Sequence, residues 1–491
     1  MWRSTLIFVF TCLLYANSLQ NGFVLGDENV VLQEKNTVET PTRLELIFNS
    51  YSAQTEQIVQ NVYGAITSFS YRLDHALWSH NPIGYHLTNV LLFGILCLIL
   101  FQFLERLRWL HPNLNLLLVL LFAAHPIHTE TVAHVSYRPE ILCFLFFASA
   151  LYFFDFYLDS KRWFYLILSL VFSGLSYVSK NTSLAMLPMF PLLSWSRSQN
   201  LKSTISSSVW FVIPAIVFFY FFFPFLRWFD ITLSPMENQL LAATNSEIWA
   251  TKLGLWGKYL QLLFIPYPLR FDYSFNTIPL LHWNSSEIWM LISFVVLSLV
   301  AMFAAWRKQS GGAFKILFAF LFFVISLLLS SNPFFTLPHF FAEHFVFMPT
   351  FGFLMLLFLV IQTFSWNEKA VTQRIWLVAI SVCVLLASAI TFVRNQDWKS
   401  NESLITSDIK HLKNNAKAHA LLAAIYFEKG EKAQNNAEKR TYFESAITQL
   451  EESITILETE ENYRFLAELY LKTGRTEGAI KAQEALEKMR E

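Results

Sequence analysis

Apolar segments separated by short polar loops occupy most of this sequence. A membrane-spanning helix needs about 20 apolar residues, and hydrophobic residues make up 54% of the chain against 15% that are charged. The sequence therefore predicts an all-α, polytopic membrane helix bundle of about eleven spans over residues 1–395. The apolar segments lie near 1–16, 86–104, 113–124, 140–157, 163–179, 182–195, 206–229, 287–305, 313–331, 345–364 and 375–393.

The first segment permits two interpretations. Arg3 precedes a short apolar run, and Ala16-Asn17-Ser18 is similar to a signal-peptide cleavage site. We favour an uncleaved first span over a signal peptide. Both interpretations place residue 20 and its successors outside the membrane.

Lys and Arg residues in the short loops predict the orientation of the bundle. Cytoplasmic loops carry an excess of these residues, and five loops on one side each carry two of them. The other side then receives the outer loops 18–85 and 230–286 and the C-terminal region, so the C-terminal region is predicted to be periplasmic or lumenal. The five pairs are Arg106 and Arg108, Lys161 and Arg162, Arg197 and Lys202, Arg307 and Lys308, and Lys369 and Arg374.

Residues 396–491 are polar and contain a repeated pattern. The stretch from His419 to Tyr426, followed by Gly430, is similar to the stretch from Tyr463 to Tyr470, followed by Gly474. These offsets indicate tetratricopeptide repeats, the first with a polar insertion around 434–441. Such repeats bind proteins or peptides on a concave face. Because two repeats are few for a stable array, we expect this region to lean on the membrane part or on a partner.

The acidic stretch that follows the first apolar segment is the leading candidate for catalysis. Asp27 and Glu28 lie close to the predicted membrane surface, in the stretch from Asn21 to Asn29. A carboxylate at that depth is costly unless it faces water, a cation or a reacting group. It is either a general base that deprotonates an acceptor hydroxyl or part of a polar loop that ends a helix.

A second cluster of polar residues lies at the outer ends of later segments. His125, His128 and Glu130 could bind a metal, but Pro126 lies between the histidines, so hydrogen bonds to an anion or to the outer loops are favoured. Arg138 either holds a phosphate or reaches towards the surface beside Glu140.

Three further basic or neutral side chains are predicted to face the same side of the membrane. Lys180, Arg270 and His344 are candidate ligands for a lipid phosphate. The balance of 36 Lys and Arg against 36 Asp and Glu gives no indication of a nucleic-acid partner. The four cysteines lie in apolar runs without the spacing of a metal site.

Several segments, taken in order, carry a family resemblance. The chain resembles the transmembrane and tetratricopeptide-repeat-containing O-mannosyltransferases and their bacterial relatives, which have the GT-C glycosyltransferase fold. The matching stretches begin at Tyr15, Asn21, Leu73, Asn81, His125, Ser179, Asp272, Ser331, Ala342 and Pro349.

The resemblance implies transfer of a sugar from a polyprenyl- or dolichyl-phosphate donor to a protein hydroxyl, with no further cofactor and with a divalent metal left open. It implies that Asp27 is the base, and that Glu130, Lys180 and the His and Arg residues named above hold the acceptor and the lipid phosphate. The protein would be in a bacterial inner membrane or the endoplasmic reticulum.

Three motifs depart from the family pattern. Leu25-Gly26-Asp27 replaces Trp-Asp-Asp, Ser179-Lys180-Asn181 replaces Ser-Lys-Glu, and Ala342-Glu343-His344 replaces Ala-Glu-Arg. A basic residue is also missing near Tyr63. The alternative hypothesis is therefore a catalytically weakened scaffold whose repeats recruit a protein partner. A transporter is disfavoured, because no ion pair is predicted in the middle of the spans.

Overall fold

A computed structural model describes residues 2–27, 65–226, 238–308, 311–330, 340–366 and 370–489. All regular elements of this part of the chain are helices. The membrane part contains α1 Trp2–Leu14, α2 Ala65–Trp78, α3 Pro82–Leu107, α4 Pro112–Ala124, α5 Thr129–Ala133, α6 Arg138–Ser160, α7 Trp163–Ser179, α8 Met189–Ser198, α9 Leu201–Ser208, α10 Val212–Leu226, α11 Asn245–Phe264, α12 Ser286–Arg307, α13 Gly312–Ser330, α14 Phe347–Ile361 and α15 Ala370–Asp397.

Five further α-helices, several short 3₁₀ segments and one π-helical segment, Gln362–Trp366, complete the described fold. The C-terminal helices are α16 Asn401–Asp408, α17 Ala416–Lys432, α18 Asn436–Ile456, α19 Glu460–Lys472 and α20 Thr476–Lys488. The 3₁₀ segments that matter for the candidate site are Pro126–His128, Val135–Tyr137 and Glu343–Val346. The predicted all-α class is confirmed.

Six of the described helical segments are long and apolar enough to cross a membrane, and a seventh crossing results if the bent pair Pro112–Ala124 and Pro126–Ala133 counts as one. The bend is 49° and follows from Pro126, which cannot donate the backbone hydrogen bond that would continue the helix. The predicted count of about eleven spans is not reached in the described residues, since several of the predicted spans form helices of only 10 to 17 residues or lie partly in undescribed stretches.

The interior of the membrane part is packed mainly by Phe and Leu. Glycine allows two of its helices to approach closely, because a Cβ added at Gly352 of α14 would lie 2.6 Å from the backbone nitrogen of Phe323 on α13. Helix α11 has a buried face that includes Leu255, Tyr259 and Leu260, while Trp249 remains exposed.

The C-terminal helices form two successive hairpins, α17 with α18 and α19 with α20. The predicted insertion lengthens the helix that follows it, so α18 has 21 residues and α20 has 13. A second apolar cluster joins these hairpins to Val24, Ala133 and Phe271 of the membrane part. The region therefore does lean on the membrane part, whereas its assignment as tetratricopeptide repeats stays a prediction.

Candidate functional site

A tight turn brings Asp27 back towards the helix bundle. Leu25 and Gly26 both have positive φ, 46° and 82°, a conformation that is common for Gly and rare for Leu. The backbone N–H of Asp27 donates to the carbonyl of Val24 over 3.0 Å. In return, Oδ2 of Asp27 accepts from the N–H of Val24 over 3.2 Å. The turn thus fixes the direction of the Asp27 side chain.

The Asp27 carboxylate is fully buried. Its Oδ1 accepts from the backbone N–H of Ser136 over 2.8 Å and from the Ser136 hydroxyl over 2.5 Å. Nε2 of His134 lies 3.2 Å from the same oxygen. The carboxylate therefore bridges the turn and the Val135–Tyr137 segment. Glu28, the second predicted catalytic residue, lies outside the described residues.

His134 was not among the residues selected from the sequence, although it contacts the leading candidate. Nε2 of His134 is also 3.2 Å from the carbonyl oxygen of Val24. Its ring stacks on Trp398 with centroids 5.3 Å apart and meets Tyr137 edge-on at 4.7 Å. No sequence spacing pointed to it, since Trp398 and Val24 lie at opposite ends of the chain.

Two glutamates lie near one another at the junction of the 125–137 and 340–346 segments. Oε2 of Glu130 accepts from the backbone N–H of His344 over 2.6 Å and lies 3.1 Å from Nδ1 of that ring. Glu343 is fully buried, and its Oε1 accepts from the N–H of Arg270 over 2.6 Å and from the Tyr273 hydroxyl over 2.7 Å. The structure thus brings Glu130, His344 and the Arg270 backbone into one cluster.

Arg138 is fully buried in a dense set of polar contacts. Its Nη2 lies 2.5 Å from Oδ2 of Asp74, and its Nε donates to Oδ1 of Asn89 over 2.7 Å. The guanidinium also lies over the Tyr71 ring, 4.5 Å from its centroid. Its carboxylate partner is therefore Asp74 on α2, rather than the neighbouring Glu140.

Glu140 pairs instead with Lys180 in a close ion pair. The Lys180 side chain keeps 22% of its surface exposed, and its Nζ lies 5.8 Å from the ring centroid of Phe345. A partly exposed ammonium that has one carboxylate partner can still meet an anionic group from solvent.

The two predicted histidines of the 125–130 segment point into the protein. Nε2 of His125 donates to the carbonyl of Leu263 over 3.0 Å, and its Nδ1 accepts from the N–H of Ile127. His128 is fully buried between Phe122 and Phe347, with ring centroids 4.6 and 4.8 Å away. Within the described ranges, no group of three or more His, Cys, Asp or Glu side chains is arranged to hold a metal ion.

Arg270 is a partly exposed cation near the Glu343 carboxylate. Its Nη1 donates to the carbonyl of Thr277 over 3.4 Å, and the guanidinium carbon lies 5.8 Å from the Tyr273 ring centroid. Its Nε is buried and has no hydrogen-bond partner in the described part of the chain. This guanidinium therefore retains donors for an anion.

Comparison with known proteins gives consistent similarities. Residues 66–228 match the family model described as dolichyl-phosphate-mannose-protein mannosyltransferase. Human protein O-mannosyl-transferase TMTC3 is 27% identical over 467 residues, which cover 87% of this chain and 50% of the relative. Human TMTC4 is 26% identical over 492 residues, covering 87% and 64%, and the Caenorhabditis elegans protein O-mannosyl-transferase F38B6.6 is 25% identical over 374 residues, covering 75% and 51%. The chain spans about half the length of TMTC3.

The apolar helices and these similarities indicate an integral membrane protein. The chain is similar to the transmembrane and tetratricopeptide-repeat-containing O-mannosyltransferases, with 27% identity to human TMTC3 and 26% identity to human TMTC4.

Proposed function

We propose that this protein is a membrane glycosyltransferase that moves a sugar from a polyprenyl- or dolichyl-phosphate donor to a protein hydroxyl on the outer face. The single observation that carries the proposal is the buried Asp27 carboxylate, held beside His134 and Ser136 in a chain whose relatives are named protein O-mannosyl-transferases. We propose Asp27 as the general base and keep Glu28 as the second candidate.

The reaction transfers one proton and exchanges one bond. The acceptor oxygen attacks the anomeric carbon of the sugar while the bond from that carbon to the phosphate oxygen breaks, and the lipid phosphate leaves with the electron pair. Asp27 takes the hydroxyl proton. Oδ2 is the better proton acceptor, because its one described hydrogen bond, from Val24, is 3.2 Å long, whereas Oδ1 is held by Ser136.

The leaving phosphate needs cations or hydrogen-bond donors placed where its charge develops. Arg270 and Lys180 are partly exposed, so they are the proposed phosphate ligands. Glu130 and His344 are proposed to hold the acceptor side of the site. Arg138, His125 and His128 support these residues from within the protein, since their side chains are buried.

The scaffold alternative is favoured by one specific observation. Asp27 has no exposed surface, and both of its oxygens accept hydrogen bonds from the protein. A base in that state cannot reach a substrate until the turn or the Ser136 hydroxyl moves. In a scaffold, Asp27 would only stabilise the turn, while the C-terminal hairpins would recruit a protein partner.

Sugar transfer by membranes that contain Asp27→Asn distinguishes the two functions. Donors are a panel of polyprenyl-phosphate sugars, and acceptors are total lumenal or periplasmic proteins. Loss of a positioned base lowers the rate by about two to four orders of magnitude. Glu402→Gln is the matched control, because Glu402 is an exposed carboxylate whose ion-pair partner among the described residues is Lys429.

Three results decide between the functions. Loss of transfer in Asp27→Asn but not in Glu402→Gln supports the enzyme and its base. Loss in Glu28→Gln instead assigns the base to Glu28. Absence of transfer from every donor by the unsubstituted protein leaves the scaffold function.

A further inference from the structure

The turn that carries Asp27 is held by residues at the end of α15 and at the start of the C-terminal region. The N–H of Gly22 donates to the carbonyl of Lys399 over 3.0 Å, and the N–H of Leu25 donates to Oδ1 of Asn401 over 2.8 Å. The side-chain amide of Asn21 donates to the carbonyl of Asn395 over 3.1 Å. Three hydrogen bonds that anchor the turn therefore come from residues 395–401.

Apolar packing reinforces the same contact. Val24 and Leu25 are buried in the apolar cluster of the C-terminal helices. Trp398 is 1% exposed and stacks on His134, whose Nε2 is 3.2 Å from Asp27. The wall behind the Asp27–His134 contact is therefore built by the C-terminal region.

Local structure fixes Asn401 in place. Ser400 and Ser403 form a capping box, in which each hydroxyl bonds the backbone N–H of the other residue. Such a box sets where a helix begins, so Asn401 is held as the first residue of α16. Its Oδ1 meets the N–H of Leu25, the residue whose positive φ creates the turn.

We propose that Asn401 is a positioning residue for Asp27, and that the C-terminal region completes the candidate catalytic site in addition to any role in protein binding. The inference rests on the proposed function for its catalytic part. Its structural part, the dependence of the turn on Asn401, does not require that the protein be a transferase.

The test is hydrogen–deuterium exchange on the full chain in lipid nanodiscs, followed by transfer kinetics. Asn401→Ala removes the acceptor of the Leu25 N–H, whereas Asn401→Asp retains an oxygen at that position. The matched control is Asn436→Ala, since Asn436 is also the first residue of a helix, α18, and is exposed. Loss of one hydrogen bond speeds exchange in the turn by about fivefold.

We expect faster exchange of residues 21–27 in Asn401→Ala, near-normal exchange in Asn401→Asp, and no change in Asn436→Ala. We also expect a lower kcat in Asn401→Ala with an unchanged KM for the donor. Unchanged exchange of the turn, or an equal rise in the control, overturns the inference, and so does a faster-exchanging turn with an unaltered kcat.

The two hypotheses can fail separately. If the unsubstituted protein transfers no sugar, the proposed function fails. The dependence of the turn on Asn401 is then still decided by the exchange measurement alone.

Discussion

The rings of Tyr137 and His344 stack with their centroids 3.9 Å apart and their planes 24° apart. The two residues belong to segments that the sequence separates by about 200 positions. Tyr137 follows the residue that hydrogen-bonds Asp27, and His344 contacts Glu130. This stack therefore links the surroundings of the proposed base to the cluster of buried glutamates.

Replacement of Arg138 is expected to cost stability. Arg138→Met leaves Asp74 buried without its cation, which typically costs about 3–5 kcal/mol in free energy of unfolding. We expect a clear fall in the apparent melting temperature of the detergent-solubilised protein. The control is Arg72→Met on α2, the helix that carries Asp74, because Arg72 is exposed. A normal melting temperature combined with lost transfer would instead favour direct binding of a phosphate.

The space around two helix glycines predicts opposite effects on stability when each is replaced by Ala. Gly352 lies at the close contact between α13 and α14, whereas Gly174 has room for a methyl group beside it. Gly352→Ala places a methyl group against the Phe323 backbone, and such overpacking costs about 1–3 kcal/mol. Gly174→Ala on α7 meets only a Pro214 carbon at 3.9 Å, so it is expected to stabilise its helix by about 0.5–1 kcal/mol. Thermal unfolding of both variants measures the contrast, and equal effects would argue against the packing.

A buried ion pair makes the contact between the two regions sensitive to pH. Asp272 lies 3.3 Å from Nζ of Lys417 and accepts from Nδ2 of Asn415 over 2.7 Å. Burial raises the pKa of Asp272, but Lys417, Ser274 and Asn415 together outweigh it, so the pKa lies below its usual value. Because the folded-state pKa is lowered, the stabilisation is complete above the unfolded value of about 3.9 and is lost as the pH falls through the folded value.

The measurement is the melting temperature of the unsubstituted protein and of Asp272→Asn at a series of pH values above and below the pKa of Asp272. We expect a constant difference above about pH 4 that shrinks at lower pH. Glu477→Gln, which alters an exposed pair with Lys481, should show no such difference. A gap that grows as the pH falls would reverse the assigned sign.

The charge pattern of the loops predicts which positions face outwards. In sealed vesicles whose lumenal or periplasmic side faces the medium, a membrane-impermeant maleimide should label Thr476→Cys. It should label Arg162→Cys only in vesicles of the opposite orientation or after the membrane has been permeabilised. Both positions are exposed. Labelling of the unsubstituted protein measures the contribution of its four cysteines, and the opposite labelling pattern would invert the orientation.

Hydrophobic pattern predicted much of the helical framework. The segment predicted at 287–305 forms α12, Ser286–Arg307, and the segment at 313–331 forms α13, Gly312–Ser330. The hydrophobic pattern did not predict where the shorter helices begin and end. The region at 182–195, for example, contains most of a 3₁₀ segment and most of α8 rather than one continuous helix, because Pro188 interrupts the helix.

Partners of the site residues were harder to predict than the residues themselves. Sequence proximity suggested Glu140 for Arg138, but the structure pairs it with Asp74, 64 positions away. Glu343 and His134 acquire their neighbours through tertiary packing, which leaves no fixed spacing in the chain. Family motifs indicated where polar residues gather, whereas the contacts among them depend on the folded bundle.

The anchoring of the Asp27 turn by residues 395–401 also constrains the order of assembly during synthesis. Leu25 and Asn401 are 376 positions apart, and bonds between such distant residues form only after a long loop has closed. The ribosome must therefore release nearly the whole membrane part before this turn can reach its final form. An unfinished chain already inserted in the bilayer would hold its acidic turn unsecured, and the turn would be completed only when the C-terminal helices arrive.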